Sequence, residues 1–364
     1  LIKGYLILKF KKLSRRILVP LRHSLEAKIF NLRYLFFEIT KSCNLNCIHC
    51  GSDCSKNDFD EFLPEEAILN VLKEVKTVYD PKKMTIAITG GEPFCYPDLF
   101  SLGKKITDLG FLWGMVTNGY GWDQKSINHL EKSGIKTVTV SLDGLEKEHN
   151  WLRGRDDSFE RAVSTIKMIK KSSFSSGLDV FTCINKRNLS QIEDIYELLK
   201  KLNVRRWRIS PIDRIGNTAL EHDDLFLDRA QFREMLEKTV KFKSQKKMIV
   251  NFTDSGYLGH EFENKARTMN YFCSAGINVG GIRVNGDIAA CPNIDPAISE
   301  GNIFKDSFID VWQTKYQRFR NRKWMKTDIC KNCSEWSLCQ GNSFHLRNFK
   351  DNKIKFCHVK YLER

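Results

Sequence analysis

The sequence predicts an α/β fold, a parallel barrel or part of one, followed by a small cysteine-rich module. Three observations carry this. Six apolar strand-like runs alternate with five amphipathic helix-like runs, each strand-like run closes on Gly, Asn, Asp or Cys, and the pattern changes after about residue 270, where cysteines gather. The strand-like runs are Tyr34–Thr40, Met84–Thr89, Leu112–Thr117, Thr137–Leu142, Leu178–Ile184 and Arg206–Ser210. The helix-like runs fall at about 64–78, 98–109, 123–133, 157–171 and 191–202. In such barrels the reacting groups sit at the C-terminal ends of the strands.

Before the barrel, residues 1–33 read as a basic amphipathic helix. Leu6, Phe10, Leu13 and Ile17 recur at helical spacing, and Pro20 is expected to end the pattern. After the barrel, residues about 211–270 read as a mixed connector with one helix near 228–243. Within it Asp254, Tyr257, His260 and Glu261 make a polar cluster, a solvated turn or a substrate-facing loop. Residues Ile282 to Cys291 alternate around Asn285-Gly286, a hairpin turn signal. The expected division is 1–33, 34–225 for the barrel, 226–270 for the connector and 271–364 for the cysteine-rich module.

Composition bounds the rest. With 41% hydrophobic and 28% charged residues in 364, the chain can bury a real core, which excludes disordered and collagen-like classes. No apolar run reaches the length of a membrane span, and no secretory signal is visible, so a cytoplasmic protein is expected. The net charge is +15, and residues 1–33 hold nine Lys/Arg against the single acid Glu26. The body is therefore only mildly basic, and a nucleic-acid partner is not demanded. The basic helix is expected to dock on a membrane surface or an acidic partner, or else to pack on the outside of the barrel.

Twelve cysteines in such a chain point to metal or catalysis rather than disulfides. Cys43, Cys47 and Cys50 directly follow the first strand, with Cys54 beyond them. Three thiolates at these gaps can hold three irons of a cubane and leave one iron open. Zinc is the competing reading, with His49 or Cys54 as its fourth ligand. Cys330, Cys333, Cys339 and Cys357 form a second group, with Cys273 and Cys291 upstream and Cys95 and Cys183 alone.

The loop Cys43-Asn-Leu-Asn-Cys47-Ile-His-Cys50 resembles the signature of the radical SAM superfamily. That resemblance implies a partial (β/α)6 TIM-type barrel, a [4Fe–4S] cluster on Cys43, Cys47 and Cys50, and S-adenosylmethionine (SAM) at the open iron. His49, inside the loop, is placed with the cofactor contacts. Thr89-Gly90-Gly91-Glu92-Pro93, at the second strand end, resembles the motif that meets the SAM amino group. Thr117 and Asn118 end the third strand, and Ser141 and Asp143 end the fourth, where the family places polar groups near ribose and carboxylate. Arg153 matches an arginine that related maturases set against the carboxylate, and Asn185 follows the fifth strand. Taken singly these are turn chemistry and a surface charge. Turn chemistry does not explain their order on successive strand ends after a cysteine triad.

The tail is similar to the SPASM or twitch extension of radical SAM peptide maturases, which carries auxiliary clusters. Within the superfamily the chain is similar to the subgroup called the radical SAM/lipoprotein system, in Cys50-Gly-Ser-Asp-Cys54, Trp113-Gly-Met-Val, His149-Asn-Trp-Leu-Arg-Gly and Arg206-Trp-Arg. The family's seven-cysteine pattern expects a cysteine where Ser343 stands. Six tail cysteines are too few for two cubanes held by thiolate alone. One auxiliary [4Fe–4S] cluster is therefore expected. It would sit on Cys330, Cys333, Cys339 and Cys357, or on Cys273 and Cys291 with two C-terminal cysteines; two incompletely ligated clusters helped by His345 or His358 are the third possibility. Pro292 stands where sulfatase-maturing relatives carry an acid/base Asp, so the formylglycine reaction is not expected.

The resemblance implies an enzyme that reductively cleaves SAM to a 5′-deoxyadenosyl radical and takes hydrogen from a substrate. A peptide or protein under modification is the leading substrate class. A cofactor- or haem-type maturase and an RNA-modifying enzyme are the rivals. A flavodoxin- or ferredoxin-type electron donor is implied. So is a separate recognition partner or direct docking, since 33 residues before the barrel are few for a precursor-recognition domain. Cys183, at the fifth strand end, is a candidate hydrogen donor or a small core residue.

Overall fold

The computed structural model describes residues 2–52, 54, 61–216, 222–253 and 255–363, with side chains from Arg16 onward. The strands are β1 Tyr34–Thr40, β2 Thr85–Gly90, β3 Leu112–Thr117, β4 Thr137–Ser141, β5 Leu178–Ile184, β6 Arg206–Pro211, β7 Ile249–Phe252, β8 Val279–Ile282, β9 Asp287–Ala289 and β10 Gly301–Asn302. Among the described residues they form one open sheet in the order β10-β9-β8-β1-β2-β3-β4-β5-β6-β7. Pairing is parallel from β8 through β1 to β7 and antiparallel only at β8–β9 and β9–β10.

Alternation along each strand creates two environments. Leu35, Phe37 and Ile39 of β1, Ile86 and Ile88 of β2, Val138 and Val140 of β4, and Trp207 and Ile209 of β6 are completely buried. They face helices α2 Glu65–Lys76, α3 Leu99–Asp108, α4 Gln124–Ser133, α6 Ser158–Lys170 and α7 Ile192–Lys201, whose apolar stripes supply Ile68, Leu72, Leu102, Ile106, Leu130, Ile166 and Leu199. Each such side chain contributes about 1.5–3 kcal/mol on burial, so this outer layer closes the fold. Gly103 of α3 leaves room for the Trp113 indole, which an added Cβ would meet at 2.2 Å. The alternate set, including Phe36, Ala87, Gly114, Thr139, Phe181 and Arg208, faces the lumen.

Three expectations need correction. The connector contains β7, a seventh parallel strand beside β6. It is only four residues long, too short for its pattern to stand out without its neighbour. Helix α5, Glu146–Arg153, forms where the sequence showed only a motif. Helix α1 runs Ile2–Ile29 straight through Pro20. An interior proline costs about 3 kcal/mol in a free helix, but here the turns on both sides are anchored. Val19 and His23 are buried, and His23 stacks on Phe272 with ring centroids 4.2 Å apart. Arg16 pairs with Glu335 at 3.6 Å, and Asn278 donates to Glu26 at 3.1 Å. The predicted row Leu6, Phe10 and Leu13 lies outside the described side chains.

The Asn285-Gly286 hairpin forms as expected, with Gly286 at φ +84°. Its first strand, β8, continues the barrel sheet beside β1, so the cysteine-rich module and the barrel share backbone hydrogen bonds. Of the polar cluster, Tyr257 is buried, while His260 and Glu261 are exposed on a helix, Gly259–Ala266, and none of the three lines the lumen. Tyr257 Oη donates to Glu335 at 2.8 Å, His260 meets the same carboxylate at 2.8 Å, and Glu261 pairs with Arg233 at 2.7 Å. Tyr257 and His260 hold the connector against the module, and the Glu261 pair lies within the connector; Asp254 lies outside the described residues.

Candidate active site

The cysteine loop leaves β1 at Thr40 and is held by the neighbouring strand ends. Gly91 N donates to Thr40 O at 2.7 Å and Glu92 N to Ser42 O at 2.9 Å. A Cβ on Gly90 would meet Thr40 O at 2.3 Å, and one on Gly91 would meet Ser42 O at 2.0 Å. The close approach these glycines permit is therefore to the start of the cysteine loop itself. Asn118, ending β3, donates to Asn44 Oδ1 at 2.7 Å and reaches Cys43 Sγ at 3.8 Å. Ile48 N donates to Leu152 O at 3.0 Å, tying the loop to α5.

Glu92 is buried and braces two strand ends. It accepts from Thr117 Oγ1 and Asn118 N at 2.7 Å and from Phe94 N at 3.3 Å. Burial outweighs these bonds and pushes its carboxyl up to about 7. Asp143 sits between Arg153 and His49. Arg153 donates to it, His49 lies 3.5 Å away, and Cys183 N donates to its Oδ1 at 2.7 Å. Burial opposes its charge, but Arg153 and then His49 hold it below the usual carboxylate range. Arg153 also reaches Cys47 Sγ at 3.5 Å, linking cation, acid and loop thiol.

Removing one partner of such a buried pair leaves the other charge uncompensated. Arg153→Met is expected to lower unfolding stability by about 3 kcal/mol, with most of the loss restored by adding Asp143→Asn. Anaerobic urea unfolding of the two variants checks this; equal loss in both would refute the pairing.

His149 carries the pH dependence of this corner. It is buried, its Nδ1 accepts from Asp143 N at 3.0 Å, and burial, then Arg153, lowers it to about 3. Its folded value lies below its unfolded value, so its contribution is present above about 6.5 and is lost as pH falls toward 3. By pH 5 the loss is about 2 kcal/mol. His149→Gln keeps an acceptor without the titration. It should therefore flatten the decline of the urea midpoint between pH 7 and 5 by that amount.

The three loop thiols, Gly90, Gly91, Glu92, Thr117, Asn118, Ser141, Arg153, His49 and Cys183 line one cavity of about 770 Å3. Pro93, Asp143 and Asn185 are not among its lining. Asn185 closes a turn, accepting from Arg187 N at 2.9 Å. The cavity runs the barrel's length, since Tyr34, Thr85, Thr137 and Ile249 at the strand starts also line it. Cys291, Pro292 and Asn293 of the module also line it. Two residues went unnoticed in the sequence, Asn44 inside the cysteine motif and Asp213 just past β6. Asp213 lines the cavity and accepts from His345 Nε2 at 3.1 Å and from Ser255 Oγ at 3.2 Å. Ser255 Oγ lies 2.7 Å from His358 Nε2, so a buried chain of hydrogen bonds leads from the cavity into the module. Asp213 follows a barrel strand end, which is the signal that could have found it.

Cys330, Cys333, Cys339 and Cys357 line a second, small cavity with Asn342 and Lys360. Cys291 lies in the large cavity instead, and Cys273 packs beside Tyr271. Ser343 bonds Tyr271 Oη at 2.6 Å. Among the described residues the only three potential ligand atoms within 4.8 Å of one another are on His49, Asp143 and Cys183. The cysteine sets are thus wider than a single ion needs. The donor chemistry and the spread fit cubanes. Burial pushes Cys43 up to about 12, so its proton must leave as iron binds.

Thiolate sets of three and four on a parallel barrel with a deep lumen make this an iron–sulfur enzyme, since an electron carrier has no use for the lumen. The sequence matches the Radical SAM superfamily over residues 37–199 and the SPASM iron–sulfur cluster-binding domain over residues 273–334. The chain belongs to the radical SAM superfamily and is a SPASM-type enzyme, with a [4Fe–4S] cluster, SAM and auxiliary iron–sulfur as its cofactors. It is similar to an AdoMet-dependent heme synthase of Methanosarcina barkeri, at 25% identity covering 85% of this chain and 90% of that one. It is similar also to the mycofactocin maturase MftC of Mycobacterium tuberculosis, at 25% identity covering 86% and 79%. Its fold matches Streptococcus suis SuiB bound to the precursor peptide SuiA with a TM-score of 0.67, at 20% identity covering 88% and 74%.

Proposed function

We propose that this enzyme modifies a peptide or protein by taking hydrogen from an unreactive carbon. The observation that carries the reading is the lumen, which runs the whole length of the barrel between the cysteine loop and the module and so admits an extended chain. Relatives whose names describe a maturase and a precursor-peptide complex support it.

Cys43, Cys47 and Cys50 hold the radical SAM cluster, and Cys330, Cys333, Cys339 and Cys357 hold the auxiliary one. When bound and reduced, the first supplies the electron that cleaves SAM to methionine and a 5′-deoxyadenosyl radical. The protein's part is placement and exclusion of water. Asn118, Ser141 and Arg153 orient the SAM polar groups at the rim, Asp143 fixes Arg153 and is met in turn by His49, and Glu92 keeps two rim strands in register. Cys183 faces the lumen beside them, placed to return a hydrogen atom to a substrate radical. A flavodoxin- or ferredoxin-type protein supplies electrons. The likeness to the radical SAM/lipoprotein subgroup points to a lipoprotein or short peptide encoded beside the gene.

The test is anaerobic incubation with SAM, dithionite and such peptides, one deuterated at candidate carbons. A mass change in the peptide with deuterium in 5′-deoxyadenosine is expected. The heme synthase relative supports a second reading, an iron-porphyrin substrate. Turnover of an iron porphyrin with no reaction on any peptide would sink the peptide reading.

A further inference from the structure

Helix α1 has two unlike faces. One is committed to the module through Val19 and His23. The opposite face carries Ile17, Leu18, Leu21, Leu25 and Ile29, all 49–66% exposed. At 1.5 Å per residue this row extends for about 18 Å along one side of the helix. Isolated exposed apolar residues are ordinary, but five in a continuous helical row mark a surface that meets something apolar. Arg22 and Lys28 border the row and are exposed. The one acid of the segment, Glu26, is turned inward to Asn278 and Arg33. The preceding turns add Lys3, Lys9, Lys11, Lys12 and Arg15 in sequence.

We infer that this face seats the enzyme on an anionic lipid bilayer, the helix lying in the plane of the headgroups. An apolar row flanked by cations is the pattern of such helices. Charge separates this occupant from a second copy of the chain. Each copy carries +15, with much of the excess in this segment, so self-pairing would set like charges face to face. No described helix is long and apolar enough to cross a membrane.

The reconstituted enzyme is sedimented anaerobically with vesicles of phosphatidylcholine, with and without about 30% phosphatidylglycerol. Binding is expected to the anionic vesicles, weakening as salt rises. Leu18→Glu/Leu21→Glu/Leu25→Glu should lower the bound fraction by about tenfold or more while iron content and SAM cleavage stay unchanged, because these side chains touch neither cavity. Arg22→Glu/Lys28→Glu should weaken binding to anionic vesicles several-fold and flatten its salt dependence, separating charge from apolar contact. Absence of wild-type binding overturns the proposal. So does a dimer, seen by sedimentation velocity, that the triple variant dissolves while vesicle binding is unaffected. A triple variant that binds like the wild type overturns it as well.

Discussion

Replacing Cys43, Cys47 and Cys50 together by alanine is expected to abolish production of 5′-deoxyadenosine from SAM while leaving the chain folded. The three side chains are only partly buried and lie on the barrel rim, so their loss removes no part of the fully buried outer layer. Among the described residues they are also the only thiols whose loop is tied both to the strand ends that carry Gly90 and Asn118 and to Arg153 at the end of α5. No other thiol set among the described residues can put an open iron beside those groups. The measurement is single-turnover chromatography of 5′-deoxyadenosine with dithionite. A triple variant that still cleaves SAM would remove the basis for the whole functional reading. The same variant should keep the auxiliary cluster, so its iron should fall from about eight to about four per chain.

The second large effect concerns that auxiliary iron. Cys330, Cys333, Cys339 and Cys357 surround one cavity, so alanine at any of them is expected to take away the remaining four irons or leave a degraded cluster. Cys273→Ala/Cys291→Ala should keep about eight irons, because Cys291 lines the large cavity and neither residue is in the lining of the quartet's. The two histidines that could have helped a second cluster are engaged, His345 with Asp213 and His358 with Ser255. Ser343 is engaged with Tyr271. Mössbauer spectra and iron analysis of these variants decide the ligand set. About twelve irons in well-formed cubanes, or loss of auxiliary iron from the Cys273/Cys291 variant, would overturn the single-cluster reading.

The barrel was legible because its information is local. Parallel strands packed under helices alternate strictly between two environments, and residues such as Phe37, Ile88 and Val140 announce one of them by their spacing alone. The cysteine motif was legible for a similar reason, since a short loop must carry its three ligands close together in sequence. What escaped was short or distant. Four residues of β7 cannot show a period, and Pro20 outweighs the helix signal around it unless the module's contacts with Val19 and His23 are known.

By itself, then, the sequence determined the order of barrel elements, the rim positions that can meet a cofactor and the presence of two thiolate groups. These depend on periodicity and on spacing within a single loop or turn. Only the tertiary structure decided which four tail cysteines share a cavity, that β8 extends the barrel sheet, that Asp213, His345, Ser255 and His358 join in one chain, and which face of α1 is left bare. Most of these unite residues far apart in the chain, 132 positions for Asp213 and His345 and still more for Tyr34 and Val279, paired between β1 and β8. Such pairings are set by how whole elements dock to bury apolar surface, a condition that no window of sequence contains.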